Sequence, residues 1–314
     1  MRSTYIYTSS AVSTQDSFQG SDFLGELQPI EISKEIITPQ YSDFIKPMLM
    51  RRMGKSTRMS VASAFNCMRQ LGLTQPESII VGTGLGALVD TEKFLSVSTT
   101  TEDKVLAPTA FILSGHNTVA GQIALLLKND LYNMTHVQRE VSFEYALLDA
   151  ILNIAEGKEN VLVGAYDELT SKVVDLATRF ELNSEIKNQL SEGATFFLVG
   201  GDRSKAIAEI KAVEVIASNA LEDAITHFLD RNEVLKKQVV KGFIGFNLQE
   251  KSKLNLPFST LCYTDYCGRF FTSSAFGLHM ASVFLQSEGL VNDYALVINK
   301  VSSKQVALTL LQRV

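Results

Sequence analysis

Apolar residues follow two kinds of spacing along the chain, one typical of helices and one typical of strands. The clearest helical pattern is Ser56–Leu71. Val61, Phe65 and Met68 lie on one face of this segment, and Gly72 follows where the helix would end. Similar patterns predict further helices at Ala87–Leu95, Thr118–Leu127, Val141–Glu156, Leu221–Arg231 and Thr272–Gln286.

Between these segments lie short apolar runs rich in β-branched residues, which predict strands. The runs are Thr4–Val12, Ser78–Val81, Ala110–Leu113, Val161–Gly164, Thr195–Val199, Ile207–Val215, Val239–Phe246, Ser259–Tyr263, Tyr294–Ile298 and Gln305–Leu311. Strands that alternate with helices indicate βαβ units and a mostly parallel sheet covered on both faces. The expected fold class is therefore α/β.

The order of elements is roughly duplicated, with a join between about Leu169 and Gly193. We therefore expect two similar halves, residues 1–180 and 181–314, in one compact unit. The segment Asp16–Gln40 is polar with few periodic positions, so it is predicted to be a loop or an insertion.

Composition excludes several classes of protein. The 29 basic and 34 acidic residues give a net charge of −5 without a basic patch, which argues against binding to nucleic acid or an anionic membrane. The three cysteines, Cys67, Cys262 and Cys267, are too few for a disulfide scaffold and favour the cytoplasm. The uncharged runs Val105–Leu127 and Phe270–Ser287 contain polar residues, so we expect them to be buried in protein and not in lipid.

The sequence gives little support for a metal site or for a phosphate-binding site. Cysteines and histidines lack metal-ligand spacing, so no metal or cofactor is expected. The glycine-rich run Val81–Ala87 follows a strand and opens a helix, as a phosphate-binding turn does, but a tight strand-to-helix turn is the favoured interpretation. Ser142 lies near another such turn, where it would cap or pack the first helical turn.

Several blocks together resemble the β-ketoacyl synthases of the thiolase-like superfamily. They are RRMGKSTRMSVASAFNCM (51–68), VGTGLGAL (81–88), PTAFILSGHNTVAGQIA (108–124), EVSFEYALLDAILNIAEGKENVLVGAYDE (140–168) and SEGATFFLVGG (191–201). The SGHNTVAG block and the acid-x-Ser-Phe turn look most like the chain-length-factor-type subunits of aryl polyene and flexirubin-type pigment pathways. The resemblance implies a thiolase-like five-layered α/β/α/β/α fold built from two similar halves.

The resemblance also implies an incomplete catalytic site. It places Glu140 where a synthase has its nucleophilic cysteine, and Phe246 and Arg269 where it has its two catalytic histidines. The counterpart of the synthase's glycine-rich oxyanion loop is Asn299–Lys304, which contains no glycine. Claisen chemistry needs all of these groups, so no catalytic residue is assigned. Phe143 is the candidate residue for lining an acyl tunnel.

By the same resemblance, the chain is expected to be inactive alone and to pair with an active β-ketoacyl synthase, whose acyl tunnel it would shape. Its partners would be that synthase in a heterodimer, or a second copy in a homodimer, and an acyl carrier protein. The dimer would form through Tyr132–Gln138 and Pro108–Gly121. The candidate interface residues are His116, Asn117, Tyr132 and His136.

Two alternatives are carried forward. In one, Glu140 acts as a base or electrostatic group and the chain decarboxylates a malonyl thioester. In the other, the resemblance is set aside and the glycine-rich turn of an unrelated α/β enzyme binds a phosphate ligand.

Overall fold

The computed structural model describes residues 2–19, 23–30, 35–100, 108–182, 184–218, 220–245, 256–302 and 304–314. In these ranges the strands are β1 Thr4–Val12, β2 Ser78–Gly82, β3 Tyr132–His136, β4 Val161–Asp167, β5 Gly193–Gly200, β6 Ala208–Ala217, β7 Val239–Gly245, β8 Ser259–Cys262, β9 Tyr294–Ser302 and β10 Gln305–Gln312. The helices are α1 Pro47–Met50, α2 Lys55–Gln70, α3 Leu88–Thr100, α4 Pro108–Leu113, α5 Thr118–Leu127, α6 Ser142–Ala155, α7 Ser171–Arg179, α8 Ser184–Asn188, α9 Leu221–Arg231, α10 Thr264–Cys267 and α11 Ser274–Ser287.

The strand order reveals an internal repeat. The sheet runs β3-β2-β4-β5-β1-β6-β10-β9-β7-β8. In the first five strands, β3, β2 and β4 are parallel, and β5 and β1 follow antiparallel. In the last five, β8, β7 and β9 are parallel, and β10 and β6 follow antiparallel. Each set therefore has the same topology in chain order.

One expectation is corrected: the sheet is mixed and not mostly parallel, since the described strands form four parallel and five antiparallel pairs. Thr4–Ile6 of β1 pairs with Ala208–Ile210 of β6, so hydrogen bonding continues through all ten strands. On strand order the repeat restarts after Gly200. The division into residues 1–180 and 181–314 remains a proposal. The strand order instead places the boundary between the two halves in the segment between β5 and β6.

Helix packing confirms the five-layered fold. Helix α2 packs on β1, β4 and β5, and α9 packs on β10. Helices α6 and α11 each contact strands of both halves, α6 through β2, β4 and β6, and α11 through β9, β7, β1 and β5. These two helices therefore form the middle layer. Their apolar side chains join inward-facing side chains of both halves in one core, and two further cores lie under α2 and α9.

One predicted strand was wrong, since Ala110–Leu113 lies in helix α4. A short apolar run fits a strand or a helix equally well by periodicity, and Pro108 at the first helical position favours the helix. Helices α5 and α9 have the predicted bounds, and the other predicted helices differ from the observed ones at their ends. No helix in the described ranges has the length and apolar character needed to cross a membrane.

Candidate functional site

The turn that leads into α6 carries Glu140, the residue that the resemblance to β-ketoacyl synthases places at the nucleophile position. Arg139 has a left-handed backbone with φ of 52°, which changes the direction of the chain between β3 and α6. The Ser142 hydroxyl accepts from the Gln138 N–H at 2.8 Å and lies 2.9 Å from the Thr83 carbonyl oxygen. A Cβ at Gly82 would lie 2.7 Å from the Ser142 carbonyl oxygen, so only glycine permits this close approach. Ser142 thus packs the turn, as its sequence position predicts.

Glu140 lies half-buried in this turn. Its backbone carbonyl accepts a hydrogen bond from Asn299 Nδ2 at 2.8 Å, so the structure brings Glu140 and the start of Asn299–Lys304 together. Among the described residues, the Glu140 carboxylate accepts no hydrogen bond from a backbone N–H group. Cys67, Cys262 and Cys267 are all buried in other elements, so the turn carries no thiol.

Sequence reasoning missed Glu144, which is one helical turn further along α6. Its side chain is 2% exposed and its Oε1 accepts from Asn299 Nδ2 at 2.9 Å. Burial raises the pKa of this carboxyl above its ordinary value, against the smaller opposing effects of its hydrogen bonds. Within the described residues, Glu144 Oε2 and the buried Ser274 hydroxyl lack a hydrogen-bond partner. The sequence signal was an acid between the core residues Phe143 and Ala146.

The resemblance places Phe246 and Arg269 at the two histidine positions of a synthase. Phe246 lies outside the described residues. Arg269 donates from Nε to Gln189 Oε1 at 2.7 Å, and its backbone pairs with the Gln189–Ser191 segment. Its side chain is therefore fixed on the segment before β5. Among the described residues, no histidine hydrogen-bonds to Glu140 or Glu144.

A tyrosine lies against the end of β7, directly before Phe246. A Cβ at Gly245 would lie 2.0 Å from the Tyr263 hydroxyl, and a Cβ at Gly277 would lie 2.6 Å from its ring. The Tyr263 side chain is 1% exposed, and burial together with the Glu144 carboxyl raises its pKa well above the ordinary value. An un-ionised phenol thus fills the space between β7 and α11.

The segment Asn299–Lys304, which the resemblance makes the counterpart of the oxyanion loop, is largely strand. Asn299–Ser302 are the last residues of β9 and pair with β10, through Asn299 with Ala307 and Ser302 with Gln305. Ser303 lies outside the described residues. Backbone groups that pair in a hairpin have their hydrogen bonds within the sheet, so this segment differs from a free glycine-rich loop.

The glycine-rich turn binds a carboxylate of the protein itself. Asp167, at the end of β4, accepts from the backbone N–H of Gly84 at 2.9 Å and of Leu85 at 3.0 Å, and from the Thr83 hydroxyl at 3.1 Å. Its second oxygen accepts from the N–H and the hydroxyl of Thr272, at 3.0 and 2.9 Å. These N–H groups are therefore engaged, which favours a structural turn over a phosphate site.

The remaining candidate residues lie in different places. Phe143 is 2% exposed and packs in the core against Phe197, with ring centroids 5.8 Å apart. His116 and Asn117 are exposed between α4 and α5. Tyr132 and His136 both hydrogen-bond to Asp149 of α6. A cavity of about 780 Å³ opens beside them, between α6 and β6.

Large apolar side chains are exposed on β3, on the residues that flank it, and on α4, α5 and α6. They are Phe111, Ile112, Leu125, Leu131, Tyr132, Met134, Val137 and Leu152. Soluble monomers rarely expose many such residues together, so the group marks a surface suited to another protein chain. Three residues of the uncharged run Val105–Leu127, at 105–107, lie outside the described residues.

Comparison with known proteins agrees with this geometry. Residues 28–179 match the family "Beta-ketoacyl synthase, N-terminal domain". No curated protein sequence matches the chain. The resemblance to β-ketoacyl synthases is thereby confirmed for the first part of the chain.

Solved structures of this fold extend the likeness to the full length. "The ishigamide ketosynthase/chain length factor" matches with a TM-score of 0.79 and 17% identity over 99% of both chains. A type II PKS acyl-carrier protein complex with its ketosynthase, AntDE:AntF, gives 0.75 and 16% over 100% of both. "Ketosynthase (ApeO) in Complex with its Chain Length Factor (ApeC) from Xenorhabdus doucetiae" gives 0.72 and 12% over 100% of this chain and 98% of that chain.

Proposed function

We propose that this chain is a non-catalytic, chain-length-factor-type subunit that pairs with an active β-ketoacyl synthase. The observation that carries the proposal is the turn before α6, which holds Glu140 and no thiol. Condensation by a synthase passes through a thioester on the nucleophile, and a carboxylate does not form one. The chain would then keep the fold of a synthase while leaving the chemistry to its partner.

Three further features support an inactive site. Arg269 is fixed by Gln189, and a guanidinium stays protonated at neutral pH, so it is not a general base. The strand pairing of Asn299–Ser302 leaves fewer free backbone N–H groups for an oxyanion. Tyr263 adds bulk beside the end of β7.

The partner would bind at the free edge of β3. This strand pairs with β2 on one side only, and its apolar side chains Tyr132 and Met134 are exposed. Strand addition to such an edge satisfies the main-chain groups of both chains. We favour a catalytically complete synthase over a second copy, because two copies of this chain would contain no nucleophilic thiol at all.

The substrate would be an acyl chain on an acyl carrier protein, held by the partner. Among the related structures, one is titled as a ketosynthase in complex with its chain length factor, and another as an acyl-carrier protein in complex with its ketosynthase. We extend both roles to this chain, with polyene, fatty acyl or polyketide elongation as the product class. The narrower assignment to aryl polyene or flexirubin-type pathways rests on the SGHNTVAG block.

Co-expression with candidate ketosynthases of the same organism tests the proposal. Native mass spectrometry of the purified protein should give a one-to-one heterodimer, and the pair should elongate malonyl thioesters on a carrier protein. The isolated chain should not elongate them. A chain that stays monomeric with every candidate, or that condenses substrate alone, would overturn the proposal.

A further inference from the structure

The free edge of β3 lacks the usual protection of edge strands. Tyr132–His136 pairs with Ser78–Gly82 of β2 in five consecutive residue pairs without a register shift. The strand contains no proline, lysine, acid or bulge, the features that commonly keep an edge from binding a further strand. The main-chain groups on its outer side are therefore open to pairing with a strand of another chain.

The Asp149 carboxylate forms hydrogen bonds to side chains at both ends of β3. The Tyr132 hydroxyl donates to Asp149 at 3.1 Å from Oδ1 and 3.0 Å from Oδ2, and His136 Nε2 lies 2.9 Å from Oδ2. Tyr132 and His136 are four residues apart in a strand, so their side chains leave the same face. Asp149 thus fastens that face of β3 to α6. Burial and the Asp149 carboxylate raise the pKa of Tyr132, so its hydroxyl stays a donor.

Asp149 is itself held in place. Asn153, one turn further along α6, donates to Asp149 Oδ1 at 2.9 Å. The Asn153 Oδ1 accepts from the Ser78 hydroxyl of β2 at 2.8 Å. Lys158 lies over the Tyr132 ring, with Nζ 4.4 Å from the centroid. A continuous chain of contacts therefore runs from β2 through α6 to β3.

The opposite face of the strand has its own anchor. Asn133 Nδ2 donates to the Ala120 carbonyl oxygen of α5 at 3.0 Å. With one face fixed to α6 and the other to α5, β3 can only present its main chain outward. A strand that is already extended loses less conformational freedom when another strand pairs with it.

We infer that Asp149 is a positioning residue, which holds β3 extended so that a strand of the partner synthase can pair with it. This inference rests on the proposed function for the identity of the partner. It assigns a role to a residue that the sequence comparison with synthases did not single out, and it predicts that partner binding depends on a side chain facing into the protein.

Asp149→Ala is the main test, with Asp175→Ala on the exposed face of α7 as a matched control. Hydrogen exchange in the isolated chain should be at least tenfold faster for Tyr132–His136 and unchanged for β4. Affinity for the partner synthase should fall at least about tenfold, which corresponds to 1.4 kcal/mol. Asp175→Ala should change neither quantity. Tyr132→Phe removes one donor without altering the core, and should give a smaller change in the same direction if Asp149→Ala does not fold.

The outcomes separate this inference from the proposed function. Unchanged exchange of β3 in both Asp149→Ala and Tyr132→Phe overturns the positioning role, whether or not a partner is found. Faster exchange with unchanged partner affinity also overturns it. A third outcome is faster exchange of β3 in Asp149→Ala, together with a wild-type chain that binds only itself or no synthase at all. In that case the proposed function fails, while the role of Asp149 in fixing β3 is supported.

Discussion

Two buried carboxyls lie close to the candidate site, and they differ in the number of hydrogen bonds that the protein donates to them. Asp167 accepts five hydrogen bonds, from the backbone N–H groups of Gly84, Leu85 and Thr272 and from two threonine hydroxyls. Glu144 accepts one from Asn299, and its second oxygen has no partner among the described residues. Burial raises the pKa of both carboxyls.

The difference indicates what each carboxyl does. Hydrogen bonds to the charged form oppose the effect of burial, and Asp167 has enough of them to remain a carboxylate. It ties the glycine-rich turn to the second half of the chain. Glu144 accepts a side-chain hydrogen bond from Asn299 and none from a backbone N–H of another residue, so less opposes the effect of burial, which raises its pKa. We therefore expect a charged structural acid at Asp167 and a neutral acid at Glu144, which shares the Asn299 amide with the Glu140 carbonyl.

The largest expected effect comes from Asp167→Asn. Each oxygen of Asp167 accepts from at least one backbone N–H, so either orientation of an amide would set its NH₂ group against a donor. We expect the free energy of unfolding to fall by about 2–4 kcal/mol, the range for buried polar groups left unpaired. Urea unfolding at pH 7 measures it. A loss below about 1 kcal/mol would contradict the assignment of Asp167 as a fully bonded carboxylate.

A buried histidine supplies a test in the acid range. His279 Nε2 donates to the Ser17 carbonyl oxygen at 3.2 Å, and Nδ1 lies 2.8 Å from Ser9 Oγ. The ring stacks on Phe23, and burial lowers its pKa to about 4. Because the unfolded chain takes up the proton first, stability should fall as pH drops from about 6.5 towards 4, by up to about 3 kcal/mol.

His279→Gln should flatten this dependence, and His227→Gln, on the exposed face of α9, should leave it unchanged. Urea unfolding at pH 7, 6 and 5 measures both variants. Equal slopes for wild type and His279→Gln would show that the imidazole does not remain neutral in the folded chain.

Glu144→Gln tests the second carboxyl, whose contribution to stability should change with pH in the opposite direction to that of His279. The folded-state pKa of Glu144 is raised, so its contribution to stability is complete below the unfolded pKa and is lost as pH rises through the folded one. A glutamine keeps an acceptor for Asn299 and does not titrate. We expect a change within about 1 kcal/mol at pH 5, and a growing advantage of Glu144→Gln as the pH rises towards 8. A difference that is constant with pH would mean that Glu144 is charged throughout.

These contacts also mark the limit of sequence reasoning. Hydrophobic spacing located most helices and strands, and the family resemblance gave the five layers. Neither could place Asn299 against Glu144, or Thr272 against Asp167, because each pair is far apart in sequence and meets only after the two halves fold together. Spacing also failed at Ala110–Leu113, where the short run fits both element types.

The smallest effect on stability is expected at Glu140, where it separates the two functions proposed for the turn. Its side chain is half-buried without a described hydrogen bond, and its backbone contact with Asn299 would survive Glu140→Gln. We expect the free energy of unfolding to change by less than about 0.5 kcal/mol, as for surface substitutions, and product length from the reconstituted pair to stay the same.

Glu140→Cys places a thiol at the position that we propose corresponds to the synthase nucleophile, without adding the other groups that condensation needs. Arg269, fixed by Gln189, supplies no base, and the paired Asn299–Ser302 segment supplies no flexible donor, so this variant should not condense malonyl thioesters. Release of carbon dioxide from a malonyl carrier protein by the isolated chain is the decisive measurement. If the wild-type chain releases it and Glu140→Gln does not, Glu140 is catalytic, and decarboxylation replaces the non-catalytic role.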